Sequence, residues 1–128
     1  MKRPVWVARG AVMIAHAESL AAHGGADGVR DAGLLESALA RPQNLHAYGE
    51  GDVAALATAY AFGIVRNHPF VDGNKRTGFL TAALFVELNG FRFMASEAEV
   101  IVNTLALASS EIGEAEFAAW LRDNVQAR

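Results

Sequence analysis

Apolar positions recur along most of the chain at helical spacing, with little strict alternation. Ala11–Ala22 places Val12, Ala15, Ser19 and Ala22 on one stripe, which predicts a first helix. His23-Gly24-Gly25-Ala26-Asp27-Gly28 ends it, because paired glycines favour a left-handed exit. Ala32–Arg41 predicts a second helix, with Asp31 in the capping position and Leu34, Leu35, Ala38 and Leu39 on its apolar face. Pro42 is expected to stop that helix, since the residue before a proline avoids the α region. Gln43–Gly51 then reads as a polar loop.

Val53–Arg66, capped by Asp52, is apolar nearly all round, which predicts a buried central helix. Asn67–Gly73 is a connection, and Asn74 opens a second strongly apolar helix that runs to Leu88 and ends at Asn89-Gly90. Phe91-Arg92-Phe93-Met94 alternates and predicts a short extended piece. Ser96-Glu97-Ala98-Glu99 has the form of a capping box and opens a helix through Ala108. A last helix over Glu114–Asn124 turns Phe117, Trp120 and Leu121 inward. The expected fold is all-α: a compact bundle of about six helices in which a loop joins the two most apolar ones. At 128 residues the chain fits one domain, 1–128.

Composition narrows the function classes. The chain has no cysteine, which excludes a disulfide framework, a cysteine nucleophile and a thiolate metal site, and suits a reducing cytosol. A net charge of −3 gives no general surface for neutralising nucleic-acid phosphates, so no direct nucleic-acid binding is expected. The longest apolar runs, Val53–Val65 and Gly78–Leu88, are short for a membrane span and carry Tyr60, Thr81 and Glu87. The basic start, Met1–Arg9, lacks a long apolar stretch and does not read as a signal peptide. A cytoplasmic location is expected, with no membrane partner.

Against that background one segment stands out. His68-Pro69-Phe70-Val71-Asp72-Gly73-Asn74-Lys75-Arg76 sets five polar side chains between two apolar helices. From Arg66 to Arg76 the charge is +2, the reverse of the chain as a whole, which favours a phosphate-bearing ligand. Gly73 lets a ligand approach the backbone closely. Asn74, Lys75 and Arg76 start a helix, where unpaired N–H groups and the positive end of the dipole cradle anions. Arg76 can grip phosphate through two parallel bonds, and Lys75 adds a compact charge. Asp72 offers the hard oxygen that Mg²⁺ prefers, with phosphates and waters completing the shell. His68 offers an imidazole that can take a proton from an attacking hydroxyl. Phe70 reads as an anchor and Pro69 as a stiffener.

Other candidates carry less. His16, among alanines, reads as a core or solvent-edge histidine; His23 suits a helix end and His46 a polar loop. None has zinc spacing. Arg66 has two uses, near phosphates or substrate, or as a neutraliser of the C-terminal end of its own helix. Trp6 and Trp120 read as core or edge aromatics.

The segment His68–Arg76 resembles the Fic/Doc signature, closest to the Doc (death-on-curing) branch, which has His, any, Phe, any, Asp or Asn, Ala or Gly, Asn, Lys, Arg. The likeness extends through Thr77, to Asn89-Gly90, and upstream to Gly28–Leu39. The resemblance implies a helical Fic fold and the toxin of a toxin–antitoxin pair. Such a toxin uses ATP and Mg²⁺ to phosphorylate a protein hydroxyl, a threonine of elongation factor Tu, and halts translation. By position, His68 would be the general base and Asp72 the Mg²⁺ ligand. Gly73, Asn74, Lys75 and Arg76 would form the phosphate shell, with Arg66 as a further contact. The partner implied is a cognate antitoxin whose disordered C-terminal segment folds on binding.

Two alternatives stay open. Fic adenylyltransferases resemble this loop but carry Gly in place of Lys75 and a second Arg in place of Phe79; Pro69 is typical of their loop. Lys75 adds bulk where nucleotide phosphates would need room, which favours a different ATP pose. No inhibitory Ser/Thr-x-x-x-Glu helix is evident, so inhibition would come from a separate partner. The other alternative is a non-catalytic module that acts through its partner alone.

Overall fold

In the computed structural model, which describes residues 3–128, six helices follow one another. They are α1 (Arg9–His23), α2 (Ala32–Ala47), α3 (Val53–Asn67), α4 (Asn74–Leu88), α5 (Glu97–Ala108) and α6 (Glu114–Asp123). Two three-residue strands, β1 (Phe91–Phe93) and β2 (Val125–Ala127), complete the element order. Met1 and Lys2, part of the basic start, lie outside the described residues. The all-α bundle expected from the hydrophobic pattern is the observed fold, and no helix among the described residues is long and apolar enough to cross a membrane.

α3 is central because it can face neighbours on every side. All its residues except Ala55, Phe62, Arg66 and Asn67 are buried, and it packs on α2, α4 and α6. Asp52 starts it by accepting the Ala55 N–H (3.2 Å) and is held in turn by Arg122 of α6 (2.6 Å). Tyr60 sits fully buried at mid-helix, where its hydroxyl oxygen accepts the Val7 N–H (3.0 Å). Burial pushes the Tyr60 phenol above its ordinary value, and the Val7 N–H opposes that only in part. Phe85 of α4 packs against Tyr60 on one side and stacks with Trp6 (centroids 5.7 Å apart) on the other.

One expectation is corrected and another is extended. Pro42 does not stop the second helix: α2 continues through it to Ala47, and the polar loop is only Tyr48–Gly51. A proline inside a helix leaves the carbonyl four residues back without its donor, a cost of about 3 kcal/mol. Here Pro42 is buried, and a Cβ on Gly63 of α3 would lie only 3.2 Å from that Ala38 carbonyl oxygen. Tight packing of α2 on α3 therefore outweighs the local preference. The extension is at the C-terminal end. The extended piece at Phe91 has a partner, β2, in antiparallel register Phe91↔Ala127, Arg92↔Gln126, Phe93↔Val125. The pairing helps set Phe93 between Phe79 of α4 (5.2 Å) and Trp120 of α6 (5.7 Å).

Candidate active site

α3 ends with its chain reversed into the left-handed region. His68 has φ 52° and ψ 53° while its N–H still bonds the Ile64 carbonyl (3.1 Å). For a residue with a Cβ this conformation costs about 1–3 kcal/mol, and such strain collects at functional sites. The reversal leaves the His68 side chain exposed and sends Pro69 and Phe70 into the core. Phe70 is 0% exposed, a burial worth roughly 1.5–3 kcal/mol that pins the loop. Its ring stacks on His16 of α1, centroids 3.9 Å apart and planes 11° from parallel.

The turn is closed by Asn74, the first residue of α4. Its Oδ1 accepts the Phe70 N–H and its Nδ2 donates to the Phe70 carbonyl, both at 2.9 Å, and the side chain is buried. The amide presents an acceptor oxygen and a donor NH₂ side by side, which match the donor and acceptor of a single residue's main chain. Asn74 is therefore a loop clamp through its buried side chain, and its main-chain N–H has no partner among the described residues.

A second layer comes from far along the chain. The connection between α1 and α2 runs beside the loop, with Val29 opposite Phe70. Val71 donates to the Gly28 carbonyl (3.0 Å), and Arg30 and Asp31 donate main-chain N–H groups to the Pro69 carbonyl (2.7 and 3.0 Å). The Arg30 guanidinium donates to the carbonyls of His68 (2.7 Å) and Asn67 (2.9 Å). His16 donates Nε2–H to the Asp72 carbonyl (2.8 Å); a carbonyl only accepts, so this nitrogen carries the hydrogen.

The Asp72 carboxylate faces solvent but is held in place. Oδ1 accepts the Gly73 N–H (2.9 Å) and Oδ2 the Ala26 N–H (3.3 Å). Gly25 makes room for it: with φ +123°, a Cβ there would lie 2.9 Å from Oδ2. Among the described residues no group of three His, Asp or Glu side chains gathers around a possible metal position. The protein's share of an Mg²⁺ site would be one carboxylate, which fits an ion that keeps waters and takes the rest of its shell from substrate phosphates.

The start of α4 differs from the starts of α2, α3 and α5. Those have side-chain caps from Asp31, Asp52 and Ser96; α4 begins at Gly73, in the left-handed region (φ 78°), with no side-chain cap. Thr77 is the first α4 residue whose N–H returns to a carbonyl, that of Gly73 (3.0 Å), so the preceding amides of Asn74, Lys75 and Arg76 have no partner among the described residues. Lys75 and Arg76 are exposed and form no ion pair among those residues. Both edge a groove of about 850 Å³ between α1, α4 and α5, whose walls include Phe79, Ile101 and Leu105. His68 and Asp72 lie outside that groove's lining.

The structure thus gathers His68, Asp72, Gly73, Asn74, Lys75 and Arg76 at one loop–helix junction. Arg66, two residues before His68, is exposed; its guanidinium donates to Ser110 Oγ in the turn after α5 and lies over the Phe62 ring (5.3 Å). Three contributors were not anticipated from the sequence. Gly25 lies in the segment that ends the first helix, Arg30 in the upstream stretch that resembles the Doc branch but carries no expected role, and His16 has the pattern of a core or solvent-edge histidine. One signal was present for His16: it falls one helical turn after Val12, on the face that the structure buries.

Residues 6–86 match the family described as the Fic/DOC family. The chain is 39% identical over 98 residues to the protein named Toxin Doc of Mycolicibacterium smegmatis, a match covering 71% of this chain and 75% of that one. It is 33% identical over 108 residues to Protein kinase doc of Escherichia phage P1, covering 84% of this chain and 85% of that one.

Proposed function

Because the chain belongs to the Fic/DOC family, we propose that it is the toxin of a toxin–antitoxin pair and that residues 1–128 form one phosphotransferase domain. It transfers the γ-phosphate of ATP to a protein hydroxyl, a threonine of elongation factor Tu on the resemblance above, and so blocks translation in the cytoplasm. The observation that carries this reading is the uncapped start of α4, with Lys75 and Arg76, one short loop after an exposed and strained His68.

In this reading the unpaired amides of α4 and the two cations hold the phosphates of ATP, where fixed N–H dipoles cost no reorganisation as charge moves. Mg²⁺, held by Asp72 and by the phosphates, would neutralise charge on the leaving group. His68 takes the proton of the acceptor hydroxyl. As it does so, the bond from acceptor oxygen to the γ-phosphorus forms, and the bond from that phosphorus to the bridging oxygen breaks, leaving ADP. The inhibitory partner is a cognate antitoxin, whose disordered C-terminal segment would fold on binding. The apolar groove beside Lys75 and Arg76 supports a partner of that kind, since a segment lying in it would cover one flank of the phosphate site.

The second reading is adenylyl transfer. Phe79 stands on the groove wall where Fic adenylyltransferases resembling this loop have arginine, which favours phosphoryl transfer. Weighing elongation factor Tu after incubation with the protein, ATP and Mg²⁺ separates the two. A phosphate-sized gain is expected, an AMP-sized gain would establish the second reading, and no gain would leave neither. Asp72→Ala should weaken Mg²⁺-dependent ATP binding, whereas His68→Ala should spare binding and abolish turnover. Equal loss of ATP affinity in both variants would contradict these roles.

A further inference from the structure

We infer that Arg30 is the positioning residue for His68: its guanidinium fixes the peptide planes on both sides of the His68 Cα and so aims the imidazole outward. The inference rests on the reading of His68 as the base of a phosphotransfer. It concerns a residue outside the His68–Arg76 loop, in a stretch that has no chemistry of its own.

The argument starts from the carbonyls at the end of α3. A helix leaves its last carbonyls without intrahelical donors. Downstream, no donor is at hand, because Pro69 has no N–H and the Phe70 N–H is taken by Asn74. Arg30 supplies both missing donors, Nε to the His68 carbonyl at 2.7 Å and Nη2 to the Asn67 carbonyl at 2.9 Å. The two groups belong to one planar fork, so the carbonyls are fixed relative to each other as well as to Arg30. The Asn67 carbonyl lies in the peptide plane before the His68 Cα, and the His68 carbonyl in the plane after it. With both planes held, φ and ψ of His68 are set, and with them the direction of its Cα–Cβ bond.

Other contacts agree with this. The Arg30 N–H bonds the Pro69 carbonyl at 2.7 Å, so the residue is tied to the loop through its backbone as well as its side chain. No carboxylate pairs with Arg30 among the described residues. A positive group at the end of α3 also suits the negative end of its dipole. Lysine could keep the charge but not the fork, so charge and geometry can be separated by substitution.

The test uses the full chain as wild type, Arg30→Ala and Arg30→Lys. Phosphate transfer to elongation factor Tu gives kcat, titration calorimetry gives the ATP·Mg²⁺ affinity, and the three-bond HN–Hα coupling of His68 reports its φ. Arg30→Ala should lower kcat by about 10- to 100-fold, the size of effect produced by misplacing a reacting group. The ATP affinity should stay within about 2-fold, because His68 is not among the phosphate-holding groups. The His68 coupling should change, and millimolar guanidinium should restore part of the activity, which mere loss of fold would not allow. Arg30→Lys should fall between the two, and it carries the test if Arg30→Ala does not fold. A kcat within about 2-fold of wild type in both variants, or an unchanged His68 coupling, overturns the inference. A wild-type protein that transfers nothing overturns the phosphotransfer reading instead, and the coupling still decides the role of Arg30.

Discussion

Asn74→Ala removes a side chain that is 4% exposed and whose two 2.9 Å hydrogen bonds close on the main chain of Phe70, itself 0% exposed. No other protein group bonds that N–H or that carbonyl among the described residues. Each buried group left without a partner costs about 1–3 kcal/mol, so the pair sets a range of about 2–6 kcal/mol. The loop is near the surface and water can enter the space, which places the expected loss near 3 kcal/mol, a large share of a typical total of about 5–15 kcal/mol. Asn74→Asp is the sharper probe because it keeps the shape. One carboxylate oxygen still accepts the Phe70 N–H, but the other now faces the Phe70 carbonyl where a donor stood. Repulsion and burial hold this new carboxyl above the ordinary carboxylate range, at about 1.4 kcal/mol for each tenfold gain in proton affinity. The folded state then binds the proton more tightly than the unfolded state. The deficit against wild type is therefore largest at neutral pH and shrinks as pH falls through the raised value, since the protonated acid can donate to the carbonyl again. Urea titrations of wild type and both variants at neutral and mildly acidic pH measure this through their midpoints. A loss below about 1 kcal/mol for Asn74→Ala, or a deficit in Asn74→Asp that does not narrow on acidification, would refute the clamp.

Gly25→Ala puts a Cβ 2.9 Å from both Asp72 Oδ2 and Leu20 Cδ2 at a φ of +123°, and should cost about 1–3 kcal/mol in a thermal melt. It should also weaken ATP binding in the presence of Mg²⁺ more than in its absence, and equal weakening by calorimetry would separate Gly25 from the Asp72 carboxylate. Tyr60 has its phenol raised above 10.0 by burial, so its contribution to stability is complete below that pH and declines as pH rises through the folded value. Tyr60→Phe should cost about 1 kcal/mol at neutral pH, because the Val7 N–H loses its acceptor, yet should remove that alkaline decline. The same alkaline slope in both proteins would argue against a buried neutral phenol.

What could be read from the sequence, and what could not, follows the direction in which each residue faces. The outward chemistry is contiguous: His68, Asp72, Gly73, Lys75 and Arg76 fall within nine positions, and the change from loop to helix at Asn74 is marked by the glycine before it. The central place of α3 was equally legible, because a helix apolar on all sides has nowhere else to go. The inward support is not contiguous. The bonds from His16, Ala26 and Arg30 to the loop span 56, 46 and 38 positions, and helical periodicity carries no information about which distant backbone a side chain will meet. Pro42 and Arg66 make the same point. A local rule expected a helix to stop, and tight packing against Gly63 carried it on; the charge of Arg66 was plain, but its direction was set by Ser110 and Phe62.

Asn74 joins the two cases. Its residue type suits a phosphate donor as well as a clamp, and only its burial against Phe70 separates them. A hydroxyl is too short to reach both main-chain groups, and a carboxylate lacks the donor. The need for an amide at the first position of α4 therefore comes from holding the loop shut. The proposed phosphate site would then depend on Asn74 through the backbone it holds, since the unpaired N–H groups of α4 follow directly on the loop that its side chain closes.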